Sequence, residues 1–366
     1  MRIIYFGLTK LSLVDKSYKT ISLNLVIDTF VDKQRRALLM DFHGKNVLVA
    51  GGSGMIGRYL VDMLFSKGAR VRIASLDDPL RADPRAQFMR FDMRRFENCM
   101  IACENMDYVF NLLGVKGSPV MAKTRPATFF VTHLQFNTNL MEAARLSRAT
   151  GFLYTSTYGV YHPASVLSED DLWKAGPSEN DKFAGWAKRM GELQSEACGI
   201  EYGWRASIVR PANVYGPYDA FGAESAMVVP SLIKRAVDGE SPLSIRGDGT
   251  AVRDFIHAED VAKGMLYVAE HEIYEPLNLG SGVGTSIREL AELIISNLDD
   301  KPEIKWNTEK SSGEHGDRRR VLDTSRAKSY GFYPAVSIEY GISETVRWYI
   351  NNKDKIGTRY DAFRDG

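Results

Sequence analysis

The stretch Asn46-Val-Leu-Val-Ala-Gly51-Gly-Ser-Gly54-Met-Ile-Gly57-Arg-Tyr-Leu decides the fold of this chain, and an amphipathic run continues from it to Gly68. The apolar residues 47–50 predict a buried strand, and the apolar spacing after the glycines predicts a helix that Gly68 ends. Three spaced glycines permit a tight turn and close packing of helix on strand. Since unpaired N–H groups at a helix N-terminus attract phosphate, this strand–turn–helix unit predicts a dinucleotide site.

The bulk composition excludes several classes of protein. Of the 366 residues, 44% are hydrophobic and 25% are charged, which is typical of a soluble globular protein. A net charge of +1 gives no electrostatic basis for binding nucleic acid or an anionic membrane. No run reaches the ~18 apolar residues of a membrane span. Three cysteines form neither a disulfide framework nor a zinc ligand set, so we predict no metal and a cytoplasmic location.

Residues 1–44 precede the predicted first strand. They carry no small-residue cleavage site, which argues against a signal peptide. Met40 lies just before the strand and would be a natural beginning, so we predict that this N-terminal extension is not essential to the fold. The alternative is a short helix or strand docked on the core.

The rest of the first half alternates between strand and helix patterns. Apolar runs predict further strands at 70–75, 87–92, 107–114, 151–156 and 207–211, and helical periodicity covers about 123–148 and a stretch from 182. This alternation predicts an α/β fold built on a doubly wound parallel Rossmann sheet, with ligands at the carboxyl ends of the strands. We assign the dinucleotide-binding domain to 45–211, a smaller mixed α/β substrate domain to 212–352, and a tail to 353–366.

The end of the second predicted strand bears on the choice of cofactor. An acid at this position binds the ribose hydroxyls of NAD and repels the 2′-phosphate of NADP. Asp77 and Asp78 therefore favour NAD, with Asp77 as the expected contact. Arg58, Arg72 and Arg81 lie near in sequence and keep NADP as the alternative.

Five motifs carry a resemblance to a known family. They are Gly51-x-x-Gly54-x-x-Gly57, Asn137-Thr-Asn-Leu-Met-Glu-Ala, Thr155-Ser-Thr-Tyr-Gly-Val-Tyr161, Arg210-Pro-Ala-Asn-Val-Tyr-Gly-Pro217 and Arg253-Asp-Phe-Ile-His-Ala-Glu-Asp260. Together, over about residues 45–350, they resemble the extended short-chain dehydrogenase/reductase family of NAD-dependent nucleotide-sugar epimerases, dehydratases and reductases. The stretch 219–235 is most similar to its GDP-sugar branch, which includes the GDP-fucose synthases.

The resemblance implies a nucleotide diphospho-sugar held between the sheet and the C-terminal part, and a homodimer paired through helices at 124–148 and 182–201. As cofactor contacts we assign Gly51, Gly54, Met55, Ile56, Gly57, Asp77, Asp92, Met93, Leu113, Lys188 and Pro211. As substrate contacts we assign Asn213, Lys234, Arg253, Arg318 and Arg319, because guanidinium groups bind phosphate oxygens bidentately. The alternative for 318–320 is a solvated basic turn.

The resemblance also implies a catalytic set, and here the chain departs from the family. In the family a Tyr, hydrogen-bonded by a Ser or Thr, takes the sugar hydroxyl proton, and a Lys four residues after the Tyr lowers the pKa of its phenol. Thr157 and Lys188 match two of these positions, but Ala184 stands where the Tyr belongs. We name Thr157, Lys188 and Tyr158 as the catalytic candidates. The alternative for Tyr158 is packing at the end of a strand.

Two further departures narrow the expected reaction. Gly159 and Met227 stand where family dehydratases and GDP-fucose synthases carry proton-transferring residues, which argues against 4,6-dehydration and C3/C5 epimerisation. We therefore predict a 4-epimerase or 4-keto reductase/dehydrogenase that acts on an NDP-hexose, with a GDP-sugar favoured, for surface-polysaccharide precursors. The alternative is a regulatory homologue that binds NAD and the sugar nucleotide without catalysis.

Overall fold

Parallel strands with helices on both faces form the larger part of the computed structural model. The structure describes residues 39–117, 119–222, 226–308, 317–355 and 359–363. Its strands are β1 Asn46–Ala50, β2 Arg70–Ser75, β3 Gln87–Arg90, β4 Tyr108–Asn111, β5 Gly151–Thr155, β6 Ser207–Pro211, β7 Asn213–Tyr215, β8 Leu243–Arg246, β9 Val252–His257, β10 Leu277–Leu279, β11 Gly284–Ser286, β12 Ile304–Asn307 and β13 Arg319–Arg320.

The central sheet has seven parallel strands in the described part of the chain, in the order β10–β6–β5–β4–β1–β2–β3. The direction of winding reverses between β1 and β4, and such a switch point leaves a crevice at the carboxyl ends of the strands. This order confirms the predicted doubly wound α/β fold. The smaller sheets, β11–β9–β13 with β7 added on β9, and β12–β8, come from the second half of the chain.

The helices cover the sheet and build a second core. They are α1 Met55–Ser66, α2 Phe96–Cys103, α3 Pro119–Thr124, α4 Pro126–Leu146, α5 Lys182–Tyr202, α6 Val228–Val237, α7 Ala258–Glu270, α8 Ile287–Ser296, α9 Ser325–Ser329 and α10 Ile338–Asn352. Helices α2 and α4 share a buried cluster with Leu48 and Ala50 of β1, and α4 packs on α5. On the other side, α1 packs against α7. Helices α6, α8 and α10 enclose the second cluster with β8 and β9.

One predicted helix is interrupted. The periodicity over about 123–148 belongs to two helices, α3 and α4, that meet at Arg125. Arg125 has φ −134° and ψ 51°, outside the helical region, because the ring of the following Pro126 disfavours a helical residue before it. The proline then starts α4, where its missing N–H costs no hydrogen bond.

The N-terminal prediction lies almost wholly outside the described residues, since 1–38 are not among them. From Asp41 onward the described residues form one compact unit. Within this unit, Phe42 is buried against the rings of Tyr108 and Phe110, so the core begins just before β1. No helix in the described ranges is long and apolar enough to cross a membrane.

Candidate active site

The glycine turn between β1 and α1 is shaped for close approach of a ligand. Gly51 has φ +84°, a conformation that side chains other than glycine's rarely adopt. A Cβ atom on Gly57 would lie 2.6 Å from the Gly51 carbonyl oxygen, so only glycine lets the helix start this close to the strand. Helix α1 begins at Met55 with Gly54 as its N-cap and no side-chain cap, which leaves its first N–H groups directed at the crevice. These features fit a pyrophosphate.

A cavity of about 740 Å³ opens from this turn along the carboxyl ends of β1, β2 and β4. Nine of the eleven assigned cofactor residues line it: Gly51, Gly54, Met55, Ile56, Gly57, Asp77, Asp92, Met93 and Leu113. The cavity volume is in the usual range for a small-molecule or cofactor site. The residues present therefore fit a dinucleotide.

Of the two acids that follow β2, Asp77 lines the cavity and Asp78 does not. The Asp77 carboxylate is buried and accepts hydrogen bonds from Ser53 Oγ at 2.7 Å and from the Tyr360 backbone N–H at 2.9 Å. Asp78 is exposed and caps a short 3-10 turn by accepting from the Leu80 N–H. The distinction between the two acids follows from this turn, because capping holds Asp78 away from the crevice.

The arginines that keep NADP as an alternative separate into two groups. Arg72 donates to the carbonyl oxygens of Ala102 and Glu104 and so fastens β2 to the end of α2. Arg58 donates to the carbonyl oxygen of Arg81, and Arg81 lines the cavity. Only Arg58 and Arg81 therefore lie at the cofactor end, and the choice between NAD and NADP stays a prediction.

Lys188 is not among the residues that line the cavity, and it connects the fifth strand to Leu113, which does line it. Its Nζ donates to the Thr155 carbonyl oxygen at 2.7 Å and to the Leu113 carbonyl oxygen at 3.2 Å. Burial lowers the pKa of Lys188 to about 7, and the nearby Glu192 carboxylate acts in the opposite direction. The ammonium can therefore exchange its proton near neutral pH.

A buried polar network fixes the loop that Lys188 contacts. Asn111 donates to the Asn137 side chain at 3.0 Å and accepts from the Leu113 N–H, while Asn137 donates to the Tyr154 hydroxyl. His133 accepts from the Val115 N–H, and burial lowers its pKa to about 3, so its ring is neutral. The network places the motif at Asn137 beneath the cofactor loop.

The phenol nearest in sequence to Thr157 is not activated by the lysine. Tyr158 donates from its hydroxyl to Asn213 Oδ1 at 2.8 Å, and Arg320 lies over its ring. Burial raises the pKa of Tyr158, and Arg320 only partly offsets this. Thr157 Oγ1 accepts from the Gly159 N–H at 3.2 Å. Ala184, half-buried, lies one helical turn before Lys188 on α5.

The predicted substrate residues only partly come together. Asn213, Arg253 and Arg319 lie on β7, β9 and β13 of one small sheet, and the Asn213 amide donates to the Asp254 carbonyl oxygen at 2.9 Å. Arg318 is exposed just before β13. Lys234 lies on α6, where it pairs with Asp238 one turn later.

Sequence reasoning missed a buried charge cluster beside Tyr158. Arg320 pairs with Asp181 and Asp317 at 2.5 Å each and donates to Ser178 Oγ. Ser178 and Asp181 lie far in sequence from Asp317 and Arg320, so no spacing in the sequence could reveal the cluster. A further missed pair joins Lys116 to the buried Asp219 at 2.8 Å across the cavity mouth.

Comparison with known proteins agrees with this geometry. Residues 47–280 match the model of the NAD dependent epimerase/dehydratase family. The chain belongs to that family. A probable GDP-L-fucose synthase from Oryza sativa subsp. japonica is 28% identical over 328 residues, covering 86% of this chain and 95% of that protein. The GDP-L-fucose synthase of Escherichia coli (strain K12) is 27% identical, covering 85% and 98%.

Solved structures of epimerases show the same fold. An epimerase from Methanothermobacter thermautotrophicus superposes with a TM-score of 0.77 at 26% identity, covering 88% of this chain and 96% of that one. A UDP-glucose 4-epimerase from Thermotoga maritima, solved with UDP-glucose, has a TM-score of 0.71 at 28% identity, covering 84% and 99%. Membership of the NAD dependent epimerase/dehydratase family confirms the predicted enzyme class and nicotinamide cofactor.

Gly159 and Met227, the two positions where this member departs from the family pattern, lie beside Asp181 and at the start of α6. A Cβ atom on Gly159 would lie 3.3 Å from Asp181 Cγ, so the Asp181 carboxylate fills the space beside that glycine. Met227 is the N-cap of α6 and offers no side-chain cap. Pro211, the last assigned cofactor contact, ends β6 and is not among the residues that line the cavity.

Proposed function

We propose that this protein is an NAD-dependent nucleotide-sugar oxidoreductase that acts at C4 of an NDP-hexose, as a 4-epimerase or a 4-keto reductase/dehydrogenase. A GDP-sugar is the favoured substrate, and surface-polysaccharide precursors are the expected product class. The GDP-L-fucose synthases and the UDP-glucose 4-epimerase support a nucleotide sugar, since the chain covers nearly their whole lengths. The observation that carries the proposal is the position of Lys188, which joins the cofactor loop at Leu113 to the strand that ends beside Thr157.

The cofactor residues have distinct roles in this proposal. The glycine turn and the start of α1 hold the pyrophosphate, Asp77 accepts from ribose hydroxyls, and Lys188 holds the nicotinamide ribose. When bound, the nicotinamide supplies the hydride acceptor or donor for the sugar carbon. Arg253 holds the sugar-nucleotide phosphates together with the Asn213 amide. Arg319 lies opposite Val252 in the strand register, so its side chain leaves the other face of the small sheet and is not part of this contact.

The protonation state of Tyr158 bears on the reductive half of this chemistry. A phenol whose pKa is raised keeps its proton at neutral pH and is not available as a base, although burial also makes it a weaker acid. Reduction of a 4-keto group delivers hydride to C4 and needs a proton at O4. Tyr158, with Thr157 beside it, is the proposed donor of that proton. The oxidative step of a 4-epimerase or dehydrogenase would take its base from another group or from an ordered water.

The test is an assay of purified protein with a set of nucleotide sugars. The bound cofactor is identified first, and GDP- and UDP-sugars, with their 4-keto forms, are then tested by the change in nicotinamide absorbance. Turnover that Tyr158→Phe reduces by roughly 10² to 10⁴-fold supports the proposal, because that is the range for loss of a general acid or base. Tight nucleotide binding with no turnover on any sugar would refute it.

A second candidate function is a regulatory homologue that binds both nucleotides without catalysis. Ala184 favours it, because the phenol that Lys188 would activate is absent from α5. The two functions differ in one measurement: wild-type turnover above the rate without enzyme supports the oxidoreductase. A wild type that binds NAD but reacts only after Ala184→Tyr supports the second candidate.

The assembly, location and domain division belong to the same proposal. We propose a cytoplasmic homodimer in which α4 and α5 pair with their copies. Both helices expose large apolar side chains, among them Val131, Phe183, Trp186 and Leu193. The two buried clusters lie mainly in 45–211 and 212–352 and support this division. The division is not clean, because β10 at the edge of the central sheet and α7, which packs on α1, place residues 258–279 with the dinucleotide domain.

A further inference from the structure

The C-terminal segment, residues 359–363, lies along the cofactor cavity instead of extending away from α10. The Tyr360 N–H donates to Asp77 Oδ1 at 2.9 Å at the end of β2. At the other end of the cavity the Phe363 carbonyl oxygen accepts from Arg125, and the Phe363 ring packs on Phe129 with centroids 4.9 Å apart. The segment is therefore attached at both ends of the crevice.

The segment forms a wall of the cavity and does not fill it. Residues 359–363 and the glycine turn line the same space, of which about 740 Å³ stays open. Each oxygen of a carboxylate can accept more than one hydrogen bond, so the bond from Tyr360 leaves Asp77 able to accept from a ribose. A dinucleotide can thus lie beneath the segment.

Arg359 places its guanidinium over the glycine turn. A Cβ atom on Gly54 would lie 3.7 Å from Arg359 Nη2. Burial lowers the pKa of Arg81, Asp77 acts in the opposite direction, and Arg359 and Arg58 lower it further, which shows that three guanidinium groups gather here. Such a cluster beside a helix N-terminus is electrostatically suited to a diphosphate.

We propose that Arg359 is a cofactor-binding residue, which the C-terminal segment brings over the glycine turn to bind the pyrophosphate of the dinucleotide. The proposal rests on the cofactor site proposed above. It adds a cation from the end of the chain to the backbone N–H groups of α1. The segment is then part of the binding site, and a bound cofactor would hold it in place through Arg359.

The test measures NAD⁺ binding by calorimetry for four proteins. They are the full chain, a chain that ends at Lys355, the variant Arg359→Gln, and the control Arg347→Gln, which changes an exposed arginine on α10. We expect the truncation and Arg359→Gln each to weaken binding about tenfold or more, the usual size of a lost charge-assisted hydrogen bond. The control should bind like the full chain, and circular dichroism checks that every variant is folded.

A second readout separates the possible outcomes. Saturating NAD⁺ should slow tryptic cleavage after Arg359, as followed by mass spectrometry. Unchanged binding after truncation would overturn the proposal. Tighter binding after truncation, or faster cleavage with NAD⁺, would overturn it and identify the segment as a competitor of the cofactor. A folded full chain that binds neither NAD⁺ nor NADP⁺ would refute the proposed function itself, which is a different result.

Discussion

Lys188 combines a functional position with an energetic cost. Its ammonium is buried, and the desolvation that lowers its pKa to about 7 also disfavours the folded state in which it is charged. The two carbonyl oxygens that accept from it and the nearby Glu192 offset only part of this cost. A buried charge that costs stability in this way is typical of a residue with a binding or catalytic role.

Replacing Lys188 with Met should change how stability depends on pH. Between pH 7 and about 10 the unfolded chain keeps the lysine proton while the folded chain loses it, so the wild type gains stability as pH rises. The gain is at most about 1.4 kcal/mol per pH unit. In Lys188→Met this contribution disappears. The unfolding free energy of the variant, measured relative to that of the wild type, should therefore fall from pH 7 to pH 10. Urea denaturation at several pH values measures it.

Lys182→Met is the matched control on the same helix, since Lys182 is exposed. Its stability should follow the wild-type pH dependence. Identical pH profiles for Lys188→Met and the wild type would contradict the lowered pKa. NAD⁺ binding should weaken in Lys188→Met and not in the control.

Arg210 and Glu192 form a buried ion pair that supports the end of β5. Their Nη2 and Oε2 atoms are 2.6 Å apart, and Glu192 also accepts from Ser156 Oγ at 2.5 Å. Glu192→Leu leaves the Arg210 charge buried and unpaired, so we expect a loss of roughly 3 to 5 kcal/mol in unfolding free energy. Urea denaturation of the single variant measures this.

The double variant Glu192→Leu/Arg210→Met is the internal control for that measurement. With no charge left to desolvate, it should be clearly more stable than the single variant. If the two are equally destabilised, packing around Ser156 and Tyr161, and not charge, accounts for the effect.

At the scale of the element, α5 presents one face to the active site. Residues four apart share a helix face, so position 184 and Lys188 point into the same region. Ala184→Tyr should place a phenol within reach of the Lys188 ammonium, which would lower the phenol's pKa. We expect turnover of the preferred nucleotide sugar to rise by roughly 10² to 10⁴-fold, the usual contribution of a general base. Steady-state kinetics measures it.

Ala184→Phe controls for the added bulk, because it carries the ring without the hydroxyl. It should not raise turnover. A rise in both variants would indicate that packing, and not proton transfer, limits the natural enzyme. No rise in Ala184→Tyr would mean that the proton reaches the sugar by another group, with Tyr158 as the first candidate.

At the scale of the whole molecule, the exposed apolar residues of α4 and α5 predict the mode of assembly. Leu193 on α5 is 39% exposed, and burial of such a side chain contributes about 1.5 to 3 kcal/mol. Leu193→Glu should therefore shift the protein from dimer to monomer at micromolar concentration. Light scattering after size-exclusion chromatography gives the mass.

Ile101→Glu is the control, since Ile101 on α2 is 47% exposed on another helix. It should leave the dimer intact. A wild type that is monomeric at high concentration would exclude this assembly, and dissociation by both variants would argue against a specific interface.

The sequence by itself determined six of the seven strands of the central sheet and the glycine turn, and it named nine of the residues that line the cavity. These features depend on local patterns, since apolar runs predict strands. The left-handed φ of Gly51 and the 2.6 Å approach of a Cβ on Gly57 to the Gly51 carbonyl oxygen each require glycine, and the sequence shows glycine at both positions. Asp77 was identified for the same reason, because its position at the end of β2 follows from strand order. The sequence also showed the missing tyrosine, because Ala184 stands at the fixed spacing of four residues before Lys188.

Only the tertiary structure decided which charges face the site. Arg320 meets Asp181, Lys116 meets Asp219, and the segment 359–363 returns to Asp77 from more than 280 positions away. Pairs between distant segments leave no pattern in the local sequence, because the conformations of the loops that follow the strands bring them together. The raised pKa of Tyr158 and the lowered pKa of Lys188 come from burial in the assembled fold, and burial of one side chain by distant segments cannot be read from its neighbours in sequence.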